Sequence, residues 1–406
     1  MRMSGSSKKV ITFVLVVCVV AVMSIAAGCG GEEGEAKGPI KIGGTLPLTG
    51  PYAETGKWIE KGYRYWAEEI NAKGGLLGRQ VELIIYDDES NTDKGVSLLE
   101  KAITVDEVDL LLGGYPGTTA AAQMPVAEKY RMVYVSMGGH MPSFEQGYQY
   151  SFGGPPLMGQ WWYEGFFQWL STLPEEERPK KAAAITVNNV IGKACLEDIH
   201  KWVEELGIDL VVDEFYDLPL ASADALVAKA KAAEADLFFA NGLFDDGVLT
   251  VRSAMAQGYN PKAFVQGIGS IVPAWVEQLG EYGNYIFSGT AISNKLPYEG
   301  IEELNEVCRE RYNVTAAPDY FLYGYCWLQT LQRGVEGAGT LDQDSIRDYL
   351  KSNTIKTIGG EFKFDEKGLP EPYSFCTQIQ NGKVELVWPA EVRTADPVYP
   401  KPPWGS

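Results

Sequence analysis

The residue types that most often carry catalysis or bind metals are few in this chain and poorly spaced. Two histidines, His140 and His200, occur in 406 residues, which nearly excludes a metal centre built from histidine. Asp87, Asp88 and Glu89 are consecutive acids at the end of a predicted strand. Three neighbouring carboxylates do not converge on one ion without ligands from elsewhere. We interpret this run as a strand end and expect neither a metal nor a cofactor.

The sequence patterns of common enzyme classes are missing. The segment 267–272 contains GxG but lacks the third small residue of a dinucleotide-binding loop. The chain has no GxxxxGK(S/T), GxSxG or HExxH pattern. A nucleotide-binding enzyme is the main alternative from another class, because it would share the alternation of strands and helices described below. The sequence favours a protein that binds its ligand without chemical change.

Composition limits the partners and the number of folded units. The chain has 54 acidic and 35 basic residues and a formal charge of −19, which argues against nucleic acid or an anionic membrane surface as the main partner. Its 45% hydrophobic and 22% charged residues are typical of a folded protein. Its length exceeds what one core usually holds, so we expect two lobes.

The first residues read as an export signal. A basic start and an apolar run over 10–23 lead to Ala26-Ala27-Gly28 and then Cys29, the order found in secretory signals. We predict that residues 1–28 are a lipoprotein signal peptide and that Cys29 is acylated, so that the protein is anchored on the periplasmic or extracellular face of the membrane. The alternative is a plain transmembrane anchor. Residues 29–39, Gly-rich and acidic, would form a flexible tether.

Export makes disulfides chemically accessible to the remaining cysteines. These are Cys195, Cys308, Cys326 and Cys376. Four cysteines allow three pairings, and the sequence does not choose between a bridge and buried free thiols. Cys308 and Cys326 lie on successive predicted helices and are the first pair to test.

From Ile40 onward, short apolar strands alternate with amphipathic helices. A first βα series runs to about residue 136, and Thr118 is predicted to cap its third helix. A second series of similar size covers 162–288. Late helices are predicted at 301–312, 319–335 and 344–351, followed by strands at 360–364, 375–379 and 384–387. We therefore predict an α/β protein with two doubly wound parallel-sheet lobes, whose cleft lies beyond the carboxyl ends of the strands.

Three motifs in the first fifty residues of the globule carry a family resemblance. They are IKIGGTLPLTGPYAETG at 40–56, EINAKGGLLG at 69–78 and YDD at 86–88. Together they resemble the leucine/isoleucine/valine-binding family, type I periplasmic binding proteins that serve ABC importers. A weaker similarity extends over most of the chain, including 110–136 and 359–368.

The resemblance implies a fold, a mode of action and partners. It implies two lobes joined by three crossings, which close on a small-molecule solute and present it to ABC permease subunits. We place lobe I at 40–154 plus 290–355, lobe II at 155–289 plus 356–394, and an extended tail at 395–406. The protein is expected to be a monomer, with no nucleic acid partner. The alternative is a ligand-sensing receptor of the same fold.

The resemblance also assigns candidate ligand contacts in lobe I. The corresponding loops contain Tyr52, Thr55, Gly117, Thr118, Gly138, Gly139 and His140. Gly117 and Gly138 permit close approach of backbone N–H groups, and Thr118 opens a helix whose N-terminus favours a carboxylate. Thr118 acting only as a helix cap, and His140 only as a solvent-facing loop residue, are the alternatives.

The lobe II candidates depart from the family pattern. The matching positions are Asn189, Phe244, Asp245 and Ile268. Trp161 lies close to the lobe crossing, where it would either line the pocket or pack in the core or on the surface. Amino-acid receptors of this kind carry an acid where this chain has Ile268, which argues against an α-amino acid. Asp245 or Asp246 would restore the charge unless both serve as helix caps. The expected solute is a small amino acid, an amide or a carboxylate, aromatic acids included.

Overall fold

The computed structural model describes residues 38–137, 141–154, 161–371 and 373–405. The predicted leader, Cys29, and the loop Gly138–His140 lie outside the described residues. Contacts join residues 40–406 into one unit. Within the described ranges, no helix combines the length and apolarity needed to cross a bilayer.

Strands and helices follow each other largely as the sequence predicts. The strands are β1 (Ile40–Leu46), β2 (Val81–Asp87), β3 (Leu110–Leu111), β4 (Tyr134–Met137), β5 (Ser151–Gly154), β6 (Lys181–Val187), β7 (Asp209–Tyr216), β8 (Leu237–Asn241), β9 (Ala263–Gln266), β10 (Ile286–Thr290), β11 (Ile355–Thr357), β12 (Gly360–Phe362), β13 (Phe375–Gln380) and β14 (Lys383–Trp388). The helices are α1 (Ala53–Ala72), α2 (Thr92–Thr104), α3 (Gly117–Tyr130), α4 (Met141–Phe144), α5 (Glu164–Ser171), α6 (Val190–Glu205), α7 (Asp224–Ala232), α8 (Phe244–Ala256), α9 (Pro273–Leu279), α10 (Ile301–Tyr312), α11 (Asp319–Ala338) and α12 (Gln343–Ser352), with short 3-10 turns at Gly269–Ile271 and Gly280–Gly283.

The two βα series build sheets of different size. In the first series, β2, β1 and β3 form a parallel three-stranded sheet in that order, and β4 pairs separately with β5. In the second series, the order β14-β13-β10-β9-β8-β6-β7 makes one seven-stranded sheet. Strands β6 to β10 are parallel, and β13 and β14 extend the sheet in antiparallel fashion. The expectation of two similar sheets is therefore wrong, because the late hairpin joins the second sheet.

Helix α1 shows how the apolar spacing is used. Trp58, Ile59, Tyr63 and Trp66 recur at helical intervals, and all four are buried. This face packs on α11, where a Cβ added at Gly62 would collide with the backbone of that helix. Glycine is required at this position because the two helices approach too closely for a larger side chain.

Two local predictions need correction. Pro116 is the N-cap of α3, and Thr118 lies in the first turn of the helix instead of capping it. The acidic run after β2 is not simply a solvated strand end. Asp87 accepts hydrogen bonds from Leu48 N at 2.9 Å and from Thr49 Oγ1 at 2.8 Å, and Asp88 is fully buried. Both carboxylates therefore help to shape the loop that follows β1.

The cysteines at 195, 308, 326 and 376 are buried and form no disulfide with one another. Burial raises the pKa of the Cys308 thiol to about 12 and that of Cys326 to about 11. The suggested Cys308–Cys326 bridge is absent, and neither thiol is readily ionised at neutral pH.

We expect dithiothreitol to leave the melting temperature unchanged, because no disulfide among the described residues is available for reduction. Scanning calorimetry of the full chain with and without the reductant tests this. A fall of several degrees in the reduced sample would contradict it.

Candidate functional site

A cavity lies at the carboxyl ends of the parallel strands. Segments from both βα series contribute to its walls. The lining residues are Tyr52, Pro116, Thr118, Trp162, Val187, Asn189, Ile191, Gly192, Cys195, Asn241, Gly242, Leu243, Gly267 and Ile268. Such switch-point crevices are where open α/β sheets bind ligands, so we take this cavity as the candidate site.

A larger and more open depression of about 1010 Å³ lies near Val272, Asn294, Val314 and Lys383. It is formed by surface loops and the turn between β13 and β14. Of the residues that the sequence singled out as ligand contacts, none lines it. Its size alone does not make it the better candidate.

The cavity brings together four of the residues expected from the sequence. These are Tyr52, Thr118, Asn189 and Ile268, which come from four separate segments of the chain. The predicted contacts Gly138, Gly139 and His140 lie outside the described residues.

Five other predicted contacts do not line the cavity, and each has a structural reason. Thr55 is buried, and its hydroxyl donates to the Tyr52 carbonyl at 3.0 Å. Gly117 is buried as the first residue of α3. Trp161 packs on the cluster that contains Phe144 and Leu369.

The remaining two lie at the start of α8. Phe244 packs into the main core, and Asp245 is exposed. Leu243, one residue before Phe244, is the N-cap of α8 and is one of the residues that line the cavity. The alternative that Asp245 and Asp246 serve as N-caps of this helix is therefore wrong.

Asn189 links the two halves of the cavity. Its Oδ1 accepts from Gly192 N at 2.7 Å, which makes it the N-cap of α6. Its Nδ2 donates to Tyr52 Oη at 3.2 Å, between residues 137 positions apart in the chain. Burial raises the pKa of Tyr52, and the hydrogen bond from Asn189 partly opposes this. The phenol is therefore neutral at physiological pH.

Asn241, at the end of β8, fixes the floor of the cavity. Its Oδ1 accepts from Tyr163 Oη at 3.0 Å, and its Nδ2 donates to the Gly192 carbonyl at 3.0 Å. The amide thus ties the segment before α5 to the first turn of α6. The sequence analysis missed this residue, although its place directly after an apolar strand is the signal that would have found it.

Gly242 makes room for a buried polar pair. A Cβ at this position would collide with Tyr216 Oη and with a carboxylate oxygen of Asp246. Tyr216 Oη donates to Asp246, and both Asp246 oxygens lie 3.0 Å from Leu243 N. The Asp246 carboxylate is 2% exposed and is held behind the cavity wall.

The loop that leads to α3 is held by a buried polar chain on the other side of the cavity. Gln123 Nε2 donates to Thr45 Oγ1 at 2.8 Å, and Tyr134 Oη donates to Gln123 Oε1 at 2.6 Å. Tyr134 Oη in turn accepts from Gly114 N at 2.8 Å. Because these groups are satisfied by each other, the loop before Thr118 has one defined position.

Trp162 contributes a polar atom that the sequence analysis overlooked. Trp162 is 2% exposed. It also lines the cavity. Within the described part of the chain, its Nε1 has no hydrogen-bond acceptor. Buried donors are normally paired, so this atom is a feature that a ligand would satisfy.

Asp198 of α6 lies beneath this segment and is 4% exposed. Burial raises the pKa of its carboxyl to about 8; the Glu164 charge adds to the shift, while Lys201 and the Tyr163 backbone amide oppose it. The acid is therefore largely protonated at neutral pH in the folded protein.

Asp198→Asn is expected to stabilise the protein as the pH rises. In the wild type the unfolded chain releases this proton near pH 4 and the folded chain near pH 8, so the group's contribution to stability falls across that window. We expect a gain on the order of 3 kcal/mol at pH 8 and none below pH 4. Urea unfolding at both pH values measures it, with exposed Asp245→Asn as the control. Equal stability of Asp198→Asn and wild type at pH 8 would refute the assignment.

The chain matches the family described as periplasmic binding protein over residues 39–383. Among curated proteins, it is 26% identical over 354 residues to "Leu/Ile/Val-binding protein homolog 1" of Brucella suis biovar 1 (strain 1330). That alignment covers 83% of this chain and 89% of the relative. The resemblance found in the sequence is thereby confirmed.

Solved structures show the same fold. The substrate-binding protein of a branched-chain amino acid transporter from Streptococcus pneumoniae, in complex with isoleucine, superposes with a TM-score of 0.77 at 22% identity, covering 86% of this chain and 100% of that one. A solute-binding protein of an ABC transporter from R. palustris, in complex with benzoate, gives 0.77 at 18% identity, covering 89% and 98%. The predicted α/β fold with parallel-sheet lobes is confirmed.

Proposed function

Since this chain belongs to the periplasmic binding protein family, we propose that it is the substrate-binding component of an ABC importer. It captures a small solute between two lobes and delivers it unchanged to permease subunits. The name of the Brucella relative and the transporter complexes with isoleucine and benzoate support this role. We place the solute in the cavity that contains Asn189.

The observation that carries the proposal is the hydrogen bond between Asn189 and Tyr52 across this cavity. Tyr52 belongs to the proposed lobe I (40–154 plus 290–355), and Asn189 to the proposed lobe II (155–289 plus 356–394). A bond between loops of different lobes is available only when the lobes approach, so it couples the shape of the cavity to hinge closure.

The chemistry of the walls supports binding without reaction. Among the described lining residues, no Lys, Arg, His, Asp or Glu is present. The lining side chains of a nucleophilic type are Tyr52, Thr118 and Cys195, and Cys195 is buried. A nucleophile needs an adjacent base or a lowered pKa to be activated, and the described lining contains no such base.

We also propose that the protein acts on the outer side of the membrane as a monomer. The predicted signal over residues 1–28 and the acylated Cys29 would tether the binding unit through residues 29–39. The family to which the chain belongs consists of exported receptors, which supports the export signal.

A ligand screen tests the function. Purified full-length protein is heated with amino acids, amides, aromatic acids and, for contrast, nucleotides. A true solute at a hundredfold excess over Kd should stabilise the fold by about 2.7 kcal/mol and be recovered chemically intact. A shift with nucleotides alone, or the appearance of a product, would rule out the proposed role.

Asn189→Asp tests the location of the site. Aspartate also caps helices, so we expect stability to change by less than about 1 kcal/mol. The new charge should weaken a carboxylate ligand from the screen by at least about tenfold, as measured by calorimetry.

Asn91→Asp is the matched control. Asn91 caps α2 in the same way, accepting from Lys94 N at 2.9 Å, but it does not line the cavity. If both variants bind equally well, the solute does not sit at Asn189.

A further inference from the structure

We infer that the cavity selects a small carboxylic acid that has no α-ammonium group, and that Trp162 donates a hydrogen bond to the carboxylate. This inference rests on the proposed function and names the class of solute. It depends on three features of the walls: helix N-termini, an unpaired donor and the lack of an accessible acid.

Three helix N-termini meet at the cavity. Helix α3 contributes Pro116 and Thr118, α6 contributes Asn189 and Gly192, and α8 contributes Leu243. Each of these helices has at least 13 residues. Gly192 N and Leu243 N are already bonded to Asn189 and Asp246. The helix N-termini still carry partial positive charge, so the site favours a negative group although no cationic side chain is among its described lining residues.

Trp162 is the independent observation that points to a ligand. Trp162 lines the cavity, and its indole N–H is buried and meets no acceptor among the described residues. Indole nitrogen is only a donor. The group that satisfies it must therefore be an acceptor, and a carboxylate is the acceptor that the helix N-termini also prefer.

The polar amides beside Trp162 do not change this preference. Asn241 uses its oxygen for Tyr163 and its nitrogen for Gly192. The oxygen of Asn189 is likewise used within α6. Each amide oxygen thus already accepts one hydrogen bond, and neither carries the negative charge that an ion pair with a cationic group of the ligand would need.

An ammonium group would need a carboxylate in the wall. Asp246 is near, but it does not line the cavity, and its oxygens accept from Leu243 N and Tyr216 Oη. The backbone of Gly242 forms the wall in front of it. Burial also raises the pKa of Asp246, which makes the acid a poorer partner for a cation. A bound α-ammonium would thus lose its hydration without gaining an ion pair.

Apolar residues form part of the cavity lining. They include Val187, Ile191 and Ile268, which suits an aliphatic or aromatic body of the acid.

The experiment compares acids with amino acids of the same carbon skeleton. The pairs are 4-methylpentanoate with leucine and 3-phenylpropanoate with phenylalanine, measured by titration calorimetry on the full chain at pH 7.5. We expect the acid of at least one pair to bind at least about tenfold more tightly than its amino acid.

Trp162→Phe should weaken that acid by about tenfold, because it removes a donor to a charged group and leaves an aromatic ring in place. Trp169→Phe is the matched control: Trp169 is also buried, stacks on Phe287 and does not line the cavity. We expect it to leave the affinity unchanged.

The outcomes separate this inference from the proposed function. Tighter binding of the amino acids overturns the inference and leaves a solute receptor. Equal affinity in the two tryptophan variants overturns the role of Trp162. Binding by another class of solute, with none by these acids, also overturns the inference, whereas no binding by any solute class in the wider screen removes the proposed function itself. If Trp162→Phe does not fold, the acid-to-amino-acid ratio of the wild type still decides the selectivity.

Discussion

Parallel pairing of strands is the constraint on which this site depends. Strands β6 and β8 run in the same direction, and each is followed within a few residues by a helix, α6 or α8. The helices must therefore begin at the same edge of the sheet. Helix α3 begins in the corresponding way after β3. The parallel topology therefore brings the N-termini of α6 and α8 together, and residues at the N-terminus of α3, which follows a strand of the other sheet, line the same cavity.

Buried polar groups then fix the details that topology leaves open. Asn241 joins Tyr163 to the first turn of α6, and the pair of Tyr216 and Asp246 fills the space that Gly242 leaves. Such groups are costly to bury unless all their hydrogen bonds are formed. Because these hydrogen bonds form together in only one arrangement of the side chains, they hold the cavity wall in a single conformation.

The overall charge and the local field of the cavity have opposite signs. The chain carries −19 formal charges, which discourages polyanions such as nucleic acids. Solvent-exposed charges more than about 8 Å away are largely screened at physiological salt, so acids on the surface have little effect on the field that the helix N-termini produce at the cavity. A protein with a strongly acidic surface can hold a small anion in this way, and its net charge says little about its solute.

The sequence by itself determined the alternation of strands and helices, the family, and the loops that carry the site. Apolar spacing in α1 and the apolar runs of β6 and β8 are local patterns that burial makes necessary. The family resemblance carried by the sequence also located Tyr52, Thr118, Asn189 and Ile268. Only the tertiary structure decided that Trp162, not Trp161, lines the cavity, because neighbouring residues face different sides of a turn. It likewise decided that the Asp246 carboxylate uses its hydrogen bonds within the protein, behind Gly242, and that the hairpin of β13 and β14 enlarges the second sheet. Both features depend on contacts between residues distant in the chain.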